Sequence, residues 1–215
     1  MSTVRLIGIT KPVIDEVPTT EALLAYQARV SSSANQLNHE TGPKLLAFLI
    51  KRKEWSPLEM VSMTFEFETT RDMARQMLRH RSLCFQEFSQ RYAVVDEAPV
   101  LREARMQDPV DRQNSIESTD EALKRWWIAE QQIVHAAAMS AYNRALAHGI
   151  AKEVARAVLP EGLTVSRLYA AGTLRSWIHY VAVRAERKTQ KEHRVLAEAV
   201  LAILIEQFPS LESVI

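Results

Sequence analysis

Hydrophobic and polar residues alternate most regularly between Val61 and Glu68. Valine, methionine and two phenylalanines occupy every second position there, and serine, threonine and two glutamates fill the positions between them. A period of two is typical of a strand with one buried face, because successive side chains of a strand point to opposite sides of the sheet. Two shorter apolar stretches predict further strands, Val4–Ile9 and Leu163–Ala171.

Most of the remaining chain carries helical spacing of its apolar residues or helix start and stop signals. Helices are expected to begin at Pro18-Thr19-Thr20 and near Pro43, since proline is favoured in the first turn. Thr69 or Thr70 is expected to cap a helix with three arginines on one face, at positions 71, 75 and 79. Four more helical segments are predicted: Ser118–His148 with Gly149 as its stop, Ala155–Val158, Thr173–Arg184 and Lys188–Phe208.

The stretch from Ala93 to Glu117 is polar, irregular and interrupted by two prolines, which predicts a long loop with short elements. No internal repeat, low-complexity tract or linker divides the chain. The pattern as a whole predicts an α+β fold in a single domain, residues 1–215, with a small mixed or antiparallel sheet and long helices.

Composition narrows the possible functions. The chain has 47% hydrophobic and 25% charged residues, which is typical of a globular protein, and a net charge of +1, which disfavours a role in coating nucleic acid. Its five glycines are too far apart for the glycine-rich loops that bind phosphates. Phosphate contacts would therefore fall largely to the 19 arginines, which outnumber the 8 lysines. Genome base composition is the alternative explanation of this excess.

The sequence also predicts where the protein resides. Cys84 is the single cysteine, so an intrachain disulfide and a cysteine-cluster metal site are excluded. Neither a signal peptide nor an apolar run of membrane-spanning length is recognisable. The six histidines are scattered, and no metal site is predicted. A cytoplasmic protein is expected.

The chemically densest segment is Gln76–Tyr92, QMLRHRSLCFQEFSQRY. Four bulky hydrophobic residues are expected to anchor it in the core: Met77, Leu78, Phe85 and Phe88. Guanidinium groups anchored in this way suit the bidentate recognition of phosphate or carboxylate. The alternative is a set of surface arginines with Glu87 as an ion-pair partner. Cys84, which lies between two hydrophobic residues, is interpreted as a small core residue rather than as a reactive thiolate.

A second cluster of cations lies between Arg175 and Arg187. If this segment is helical, Arg175 and His179 are one turn apart, and Arg184 follows five residues later. Arg156 has apolar neighbours in VARAVLP and requires an anionic partner or an open rim. An isolated arginine or histidine at such places is more often a solvated or core-capping residue.

At these residues the chain resembles the flavin-dependent thymidylate synthases. Arg79-His80-Arg81, followed after seven residues by Ser89, matches the signature of that family. Four further segments follow the family's order and approximate spacing: Trp55–Glu59, the strand through Phe67, Arg156–Pro160 and Arg175–Arg184. The resemblance covers most of the chain, from about Val4 to Phe208.

The resemblance implies an enzyme that converts dUMP to dTMP. The one-carbon unit would come from 5,10-methylenetetrahydrofolate, and the reducing equivalents from NADPH through FAD. The resemblance also implies a homotetramer in which several subunits form each active site. Neither nucleic acid nor a membrane is expected as a partner.

The resemblance implies a role for each residue of this chain that matches a functional position of the family. The flavin would be bound by Ser56, Arg79, His80, Arg81, Glu87, Thr173, Leu174, Arg175 and His179. The nucleotide dUMP would be bound by Gln76, Met77, Leu78, Arg79, Glu87, Phe88, Ser89, Gln90, Arg91, Arg156 and Arg184. Arg184 and Ser89 would belong to the catalytic centre. Arg184 would be the cation that stabilises an electron-rich pyrimidine, and Ser89 would be a hydroxyl that positions the ligand. No cysteine nucleophile is needed if the flavin supplies hydride.

Three positions depart from the family's pattern. Glu54 and Met60 stand where many members have histidine, and Thr173 stands where asparagine is frequent. Six aromatic residues could stack on flavin or folate rings, and at least half of them are expected in the core: Trp55, Phe85, Phe88, Tyr92, Trp177 and Tyr180. Two functions without catalysis remain as alternatives, an arginine-rich module that binds nucleotides or nucleic acid and a structural oligomer.

Overall fold

The computed structural model describes residues 2–213. Its strands are β1 (Thr3–Ile9), β2 (Ser62–Thr70), β3 (Cys84–Glu87), β4 (Arg105–Gln107), β5 (Ser115–Glu117) and β6 (Val165–Thr173). Its α-helices are α1 (Thr20–Ala28), α2 (Gly42–Lys51), α3 (Arg71–Met77), α4 (Glu121–Ala147), α5 (Lys152–Ala155), α6 (Leu174–Arg184) and α7 (Lys191–Gln207). Short 3₁₀ helices span Ser33–Asn35, Ser56–Glu59, Arg156–Val158 and Pro209–Ser213. These elements confirm the predicted α+β class.

The sheet that positions the site is antiparallel throughout. Its strand order is β1-β2-β6-β3, and β4 and β5 form a separate hairpin. The alternation predicted for β2 is confirmed, because Met63, Phe65 and Phe67 are buried whereas Glu66 and Glu68 lie on a partly open face. Of the two sheet types expected, the structure has the antiparallel one.

Side chains of α2, α6 and α7 form the main core against the buried face of this sheet. Trp177 of α6 meets Phe65 edge-on, with 4.6 Å between ring centres, and its indole nitrogen donates to the carbonyl of Met63 over 3.1 Å. Helix α6 begins where β6 ends, because the Thr173 hydroxyl accepts the backbone amide of Ser176 over 3.3 Å. The core thus fixes the start of the helix that carries Arg175, His179 and Arg184.

The predicted helix after β2 is shorter than the arginine spacing suggests. Helix α3 ends at Met77, so Arg79 does not share a helical face with Arg71 and Arg75, and that expectation is wrong. The other bounds move by a few residues. Strand β6 starts later than expected because the amide of Thr164 closes a turn on the carbonyl of Pro160, and α7 starts at Lys191 rather than at residue 188.

The irregular stretch from Ala93 to Glu117 contains the β4–β5 hairpin, as the prediction of a loop with short elements requires. Arg102 and Arg105 both pair with Glu192 in the first turn of α7, at 3.2 and 2.7 Å. The side chain of Gln131 in α4 accepts the backbone amide of Arg102 over 2.7 Å and donates to its carbonyl over 2.9 Å. Because partners on two helices satisfy its polar groups, the loop is held against the body of the protein.

Helix α4 is largely open to solvent. It begins after the cap residue Asp120, and Gly149, with φ of 79°, follows its end. Of its 27 residues only Gln131 and Tyr142 are buried. Several large apolar side chains on it are exposed: Trp126, Trp127, Ile128, Ile133 and Val134. Exposed apolar patches of this kind mark interaction surfaces.

None of the helices within residues 2–213 has the length and apolar character that crossing a membrane requires.

Candidate functional site

The Arg79-His80-Arg81 motif lies in a tight turn between α3 and β3. The amide of His80 donates to the carbonyl of Met77 over 2.9 Å, and the amide of Leu83 donates to the carbonyl of His80 over 3.0 Å. Met77 and Leu83 are buried at the two ends of this turn, whereas Arg79 and Arg81 are exposed. The turn therefore presents two guanidinium groups from a fixed backbone, which suits the recognition of an anion.

Gly172 of β6 leaves the space that Leu83 fills. A Cβ at position 172 would lie inside the van der Waals radius of Leu83 Cδ2. We expect Gly172→Ala to lower the free energy of unfolding by about 1–3 kcal/mol, since overpacking displaces a buried side chain. Gly8→Ala is the matched control, because its Cβ would lie 3.6 Å from Thr64 Cβ, an ordinary contact. Equal stability of the two variants in urea unfolding would contradict this role of Gly172.

Arg184, from the second cluster of cations, contacts the turn that carries Arg79-His80-Arg81, referred to below as the motif turn. Its Nε donates to Nε2 of His80 over 2.9 Å. Burial, together with the charges of Arg184 and His179, lowers the pKa of His80 to about 4. A neutral His80 that accepts at Nε2 carries its proton on Nδ1. The terminal nitrogens of Arg184 form no hydrogen bond within residues 2–213, so they are available to a ligand.

Neutral rings form a wall behind this pair. Tyr180 meets His80 edge-on, with 5.0 Å between ring centres, and lies 5.7 Å from the ring of the fully buried His193. Burial lowers the pKa of His193 to about 3, with help from the charges of Arg184 and His80. Burial also raises the pKa of Tyr180. The cation of Arg184 therefore faces rings that carry no charge at pH 7.

Gln76, at the end of α3, is oriented by residues that sequence reasoning missed. Its Nε2 donates to Oε1 of Gln190 over 2.9 Å, and its Oε1 faces Nδ1 of His193 at 3.2 Å. These partners are 114 and 117 residues away along the chain. No local spacing could have indicated them.

Glu87, at the end of β3, lines a groove with other residues of the predicted dUMP set. Its Oε1 accepts from the Ser166 hydroxyl over 2.7 Å and from Arg71 over 3.2 Å. Phe88 and Ser89 line the same groove, whose volume is about 380 Å³. The structure thus brings together the carboxylate and hydroxyl expected to bind the nucleotide.

Arg91 and Arg156 are the arginines predicted to bind phosphate. Arg91 forms an ion pair with Glu153 at 2.9 Å, in which the Arg91 side chain is 64% exposed. Arg156 is half-buried at the start of the 3₁₀ turn that follows α5. An exposed ion pair contributes only about 0–1 kcal/mol, so an arriving phosphate group can replace Glu153.

The predicted flavin residues at the start of α6 share a carboxylate. Arg175 donates to Oε1 of Glu59 over 2.6 Å, and the Thr173 hydroxyl donates to Oε2 over 2.7 Å. These two hydrogen bonds, that of Arg175 above all, lower the pKa of Glu59. Ser56 begins the same 3₁₀ helix as Glu59, and His179 is exposed one turn further along α6. The sequence predicts no role for Glu59, although it is the last residue of the segment Trp55–Glu59 that matches the family.

Some predicted site residues turn their side chains into the core. Met77, Leu174 and Gln90 are 0%, 1% and 3% exposed. A ligand could reach them only through the backbone. The amide of Leu174 already donates to the carbonyl of Val61 over 2.8 Å.

Two interpretations of the segment Gln76–Tyr92 are wrong. Cys84 is exposed, because it lies on β3 at the edge of the sheet and points outward. Leu78 and Phe88 are 40% and 37% exposed, which leaves Met77 and Phe85 as the residues that anchor the segment. Of the six aromatic candidates for stacking, four lie in or against the core, as expected: Trp55, Phe85, Trp177 and Tyr180.

Known proteins resemble this chain over nearly its whole length. The sequence model of the family described as Thymidylate synthase complementing protein (Thy1) matches residues 12–210. The chain is 50% identical over 210 residues to a flavin-dependent thymidylate synthase from Synechocystis sp., with 96% of each protein covered. It is 49% identical over 207 residues to a "Probable flavin-dependent thymidylate synthase" of Paramecium bursaria Chlorella virus 1, with 96% of this chain and 95% of that protein covered.

A solved structure supports the same grouping. The crystal structure of the UMP/dUMP methylase PolB from Streptomyces cacaoi, bound with 5-Br dUMP, has a TM-score of 0.85 and 27% sequence identity. The comparison covers 100% of this chain and 94% of that one. The motif turn at Arg79-His80-Arg81, the matching fold and the match over residues 12–210 together show that the chain belongs to the thymidylate synthase complementing protein family.

Proposed function

We propose that this protein is a flavin-dependent thymidylate synthase that converts dUMP to dTMP by reductive methylation. The carbon unit comes from 5,10-methylenetetrahydrofolate, and the hydride comes from FAD that NADPH has reduced. The contact between Arg184 and His80 carries this proposal, because it brings the cation of α6 onto the motif turn across 104 residues of chain. The names of the similar proteins support the same reaction.

Arg184 activates the pyrimidine by electrostatics. Bond formation at C5 of uracil requires electron density on that carbon, and a cation near N3 and O4 stabilises the ionised or enolate-like ring. Arginine stays protonated at any working pH, so Arg184 acts as a fixed charge and not as a base. The neutral rings of His80, Tyr180 and His193 exclude water from one side of it, which strengthens its field.

The remaining residues of the dUMP set bind and orient the nucleotide. Gln76 offers an oriented amide, and Glu87 and Ser89 offer polar atoms in the groove of about 380 Å³. Arg91 and Arg156 supply forked donors for the phosphate. Ser89 positions the ligand and does not attack it. Cys84 is not among the residues that line this groove, in keeping with a reaction that uses no cysteine nucleophile.

FAD fits the exposed donors of the motif turn and of helix α6. Its pyrophosphate is an anion, and Arg79, Arg81 and Arg175 present exposed guanidinium groups that can bind it in a bidentate manner. Ser56 adds a hydroxyl from the 3₁₀ helix that contains Glu59, and His179 adds an imidazole one turn along α6. When bound, the flavin supplies the hydride chemistry, and these residues hold and orient it. Thr173 stands at the position where asparagine is frequent in the family, and its hydroxyl donates a hydrogen bond to Glu59.

The protein is a homotetramer in this proposal, with active sites formed by several subunits. The exposed apolar side chains of α4, Trp126 and Ile133 among them, support it, because subunit contacts would remove them from water.

Spectroscopy of the purified protein tests the function. We expect a yellow protein whose flavin absorbance bleaches with NADPH, faster when dUMP is present, and which forms dTMP when methylenetetrahydrofolate is added. A colourless protein that never takes up FAD contradicts the proposal. A salt series separates it from a nucleic-acid-binding module, whose affinity falls steeply with salt and shows no preference for dUMP.

A further inference from the structure

A continuous chain of side-chain hydrogen bonds connects the β4–β5 hairpin with the wall behind His80. Arg105 donates to Oε1 of Glu192 over 2.7 Å, and Nε2 of Gln190 donates to Oε2 of the same carboxylate over 2.9 Å. Oε1 of Gln190 accepts from Nε2 of Gln76 over 2.9 Å, and Oε1 of Gln76 faces Nδ1 of His193 at 3.2 Å. We refer to Glu192, Gln190, Gln76 and His193 as the Glu192 relay.

The carboxylate at one end determines the direction of every bond in the relay. Burial opposes ionisation of Glu192, but hydrogen bonds from Gln190 and Arg105 and the charge of Arg102 outweigh it and lower its pKa to about 2. An ionised carboxylate can only accept, so Gln190 must donate to it with Nε2 and accept from Gln76 with Oε1. Gln76 must then turn its own Oε1 toward His193.

Because Gln76 turns its carbonyl oxygen toward His193, a neutral imidazole there can form the hydrogen bond in only one tautomer. His193 must donate from Nδ1, which leaves Nε2 as an acceptor. Nε2 of His193 and the hydroxyl of Tyr180 are both buried without a partner within residues 2–213, and their rings lie 5.7 Å apart. A tyrosine hydroxyl can donate or accept, so the contact of Nδ1 with Gln76 alone assigns the proton on His193.

We propose that Glu192 and Gln190 are positioning residues that fix the amide orientation of Gln76 and hold His193 in the tautomer protonated at Nδ1. The substrate part of this inference rests on the proposed function, in which Gln76 contacts dUMP. The two bonds inside the relay use one N–H and one lone pair of the Gln76 amide. One N–H and one lone pair remain in a set orientation for a nucleotide.

Gln190→Met is the test variant, because Gln190 is exposed and methionine removes both hydrogen bonds at similar size. In ligand-free protein labelled with ¹⁵N in its histidine rings, long-range ¹H–¹⁵N correlation spectra report which ring nitrogen is protonated. His193→Gln identifies the signal. We expect Nδ1 protonation of His193 in the wild type and a shift toward Nε2 protonation in Gln190→Met. Gln113→Met, at an exposed loop residue, is the control and leaves the spectrum unchanged.

Kinetics form the second readout. In Gln190→Met we expect KM for dUMP to rise about tenfold, which is the effect of losing an oriented hydrogen bond. We expect kcat to stay within about twofold of wild type, because the lost bond holds the substrate and the transition state equally. Nε2 protonation in the wild type, or an unchanged KM in the variant, overturns the relay. If the wild type shows the expected tautomer and the variant shifts it, yet dUMP does not bind at all, the ordering by the relay is supported while the proposed function fails.

Discussion

Replacing Arg184 with alanine is expected to cause a severe loss of dTMP formation while the flavin remains bound. The side chain supplies the positive charge that stabilises the pyrimidine, and removing one preorganised donor of this kind lowers the rate by about 100- to 1000-fold. Flavin retention is expected because the exposed cations on the motif turn and at the start of α6 remain. Flavin absorbance and the single-turnover rate of dTMP formation measure the two effects separately.

The contact with His80 provides a readout that does not depend on turnover. The charge of Arg184 is one of the causes that hold the pKa of His80 at about 4, so the pKa of His80 should rise in Arg184→Ala. Arg187→Ala, at an exposed position in the turn between α6 and α7, is the matched control and should keep both turnover and flavin. Unchanged turnover in Arg184→Ala would refute the role given to this residue.

The fold was predictable where local pattern and tertiary burial agree. The alternation of apolar and polar residues in β2 was readable because one face of this strand packs on Trp177 and the other does not. The cap residue Thr173 likewise marked the start of α6. The motif turn was recognisable as a site because Arg79-His80-Arg81 forms one short block of sequence. These features depend on residues close together in the chain.

Features that depend on distant residues could not be predicted. His193 has the sequence surroundings of an ordinary residue of an amphipathic helix, and only the fold places it beside Gln76. Cys84 has hydrophobic neighbours, which suggested burial. Its exposure follows from the position of β3 at the sheet edge, a property of topology that local composition does not contain.

The neutral histidines behind Arg184 are expected to lower the free energy of unfolding at acidic pH. An unfolded histidine takes up its proton near pH 6.5, whereas in the folded protein His80 does so at about 4 and His193 at about 3. Both pKa values are lowered by folding, so the unfolded state binds more protons below pH 6.5. The free energy of unfolding should therefore fall as the pH is lowered from about 6.5 toward 4.

His193 allows the magnitude of this effect to be tested, because its side chain is fully buried. One group protonated only in the unfolded state contributes a slope of at most about 1.4 kcal/mol per pH unit. His193→Gln keeps a polar side chain that does not titrate, so the slope of its unfolding free energy between pH 6.5 and 5 should be shallower than that of the wild type. His148→Gln, at an exposed position, should retain the wild-type slope, since His80 and His193 are both still present.

The pH window separates this effect from that of the carboxylates. The pKa of Glu192 is lowered to about 2 from 4.5, so the stability it contributes is present above pH 4.5 and is lost below that value. Between pH 6.5 and 5 the histidines dominate the change. Urea unfolding at a fixed protein concentration measures it, because association of subunits would otherwise alter the apparent stability. Equal slopes for His193→Gln and the wild type would show that His193 titrates alike in the folded and unfolded chains, and the wall behind Arg184 would then be hydrated and not neutral.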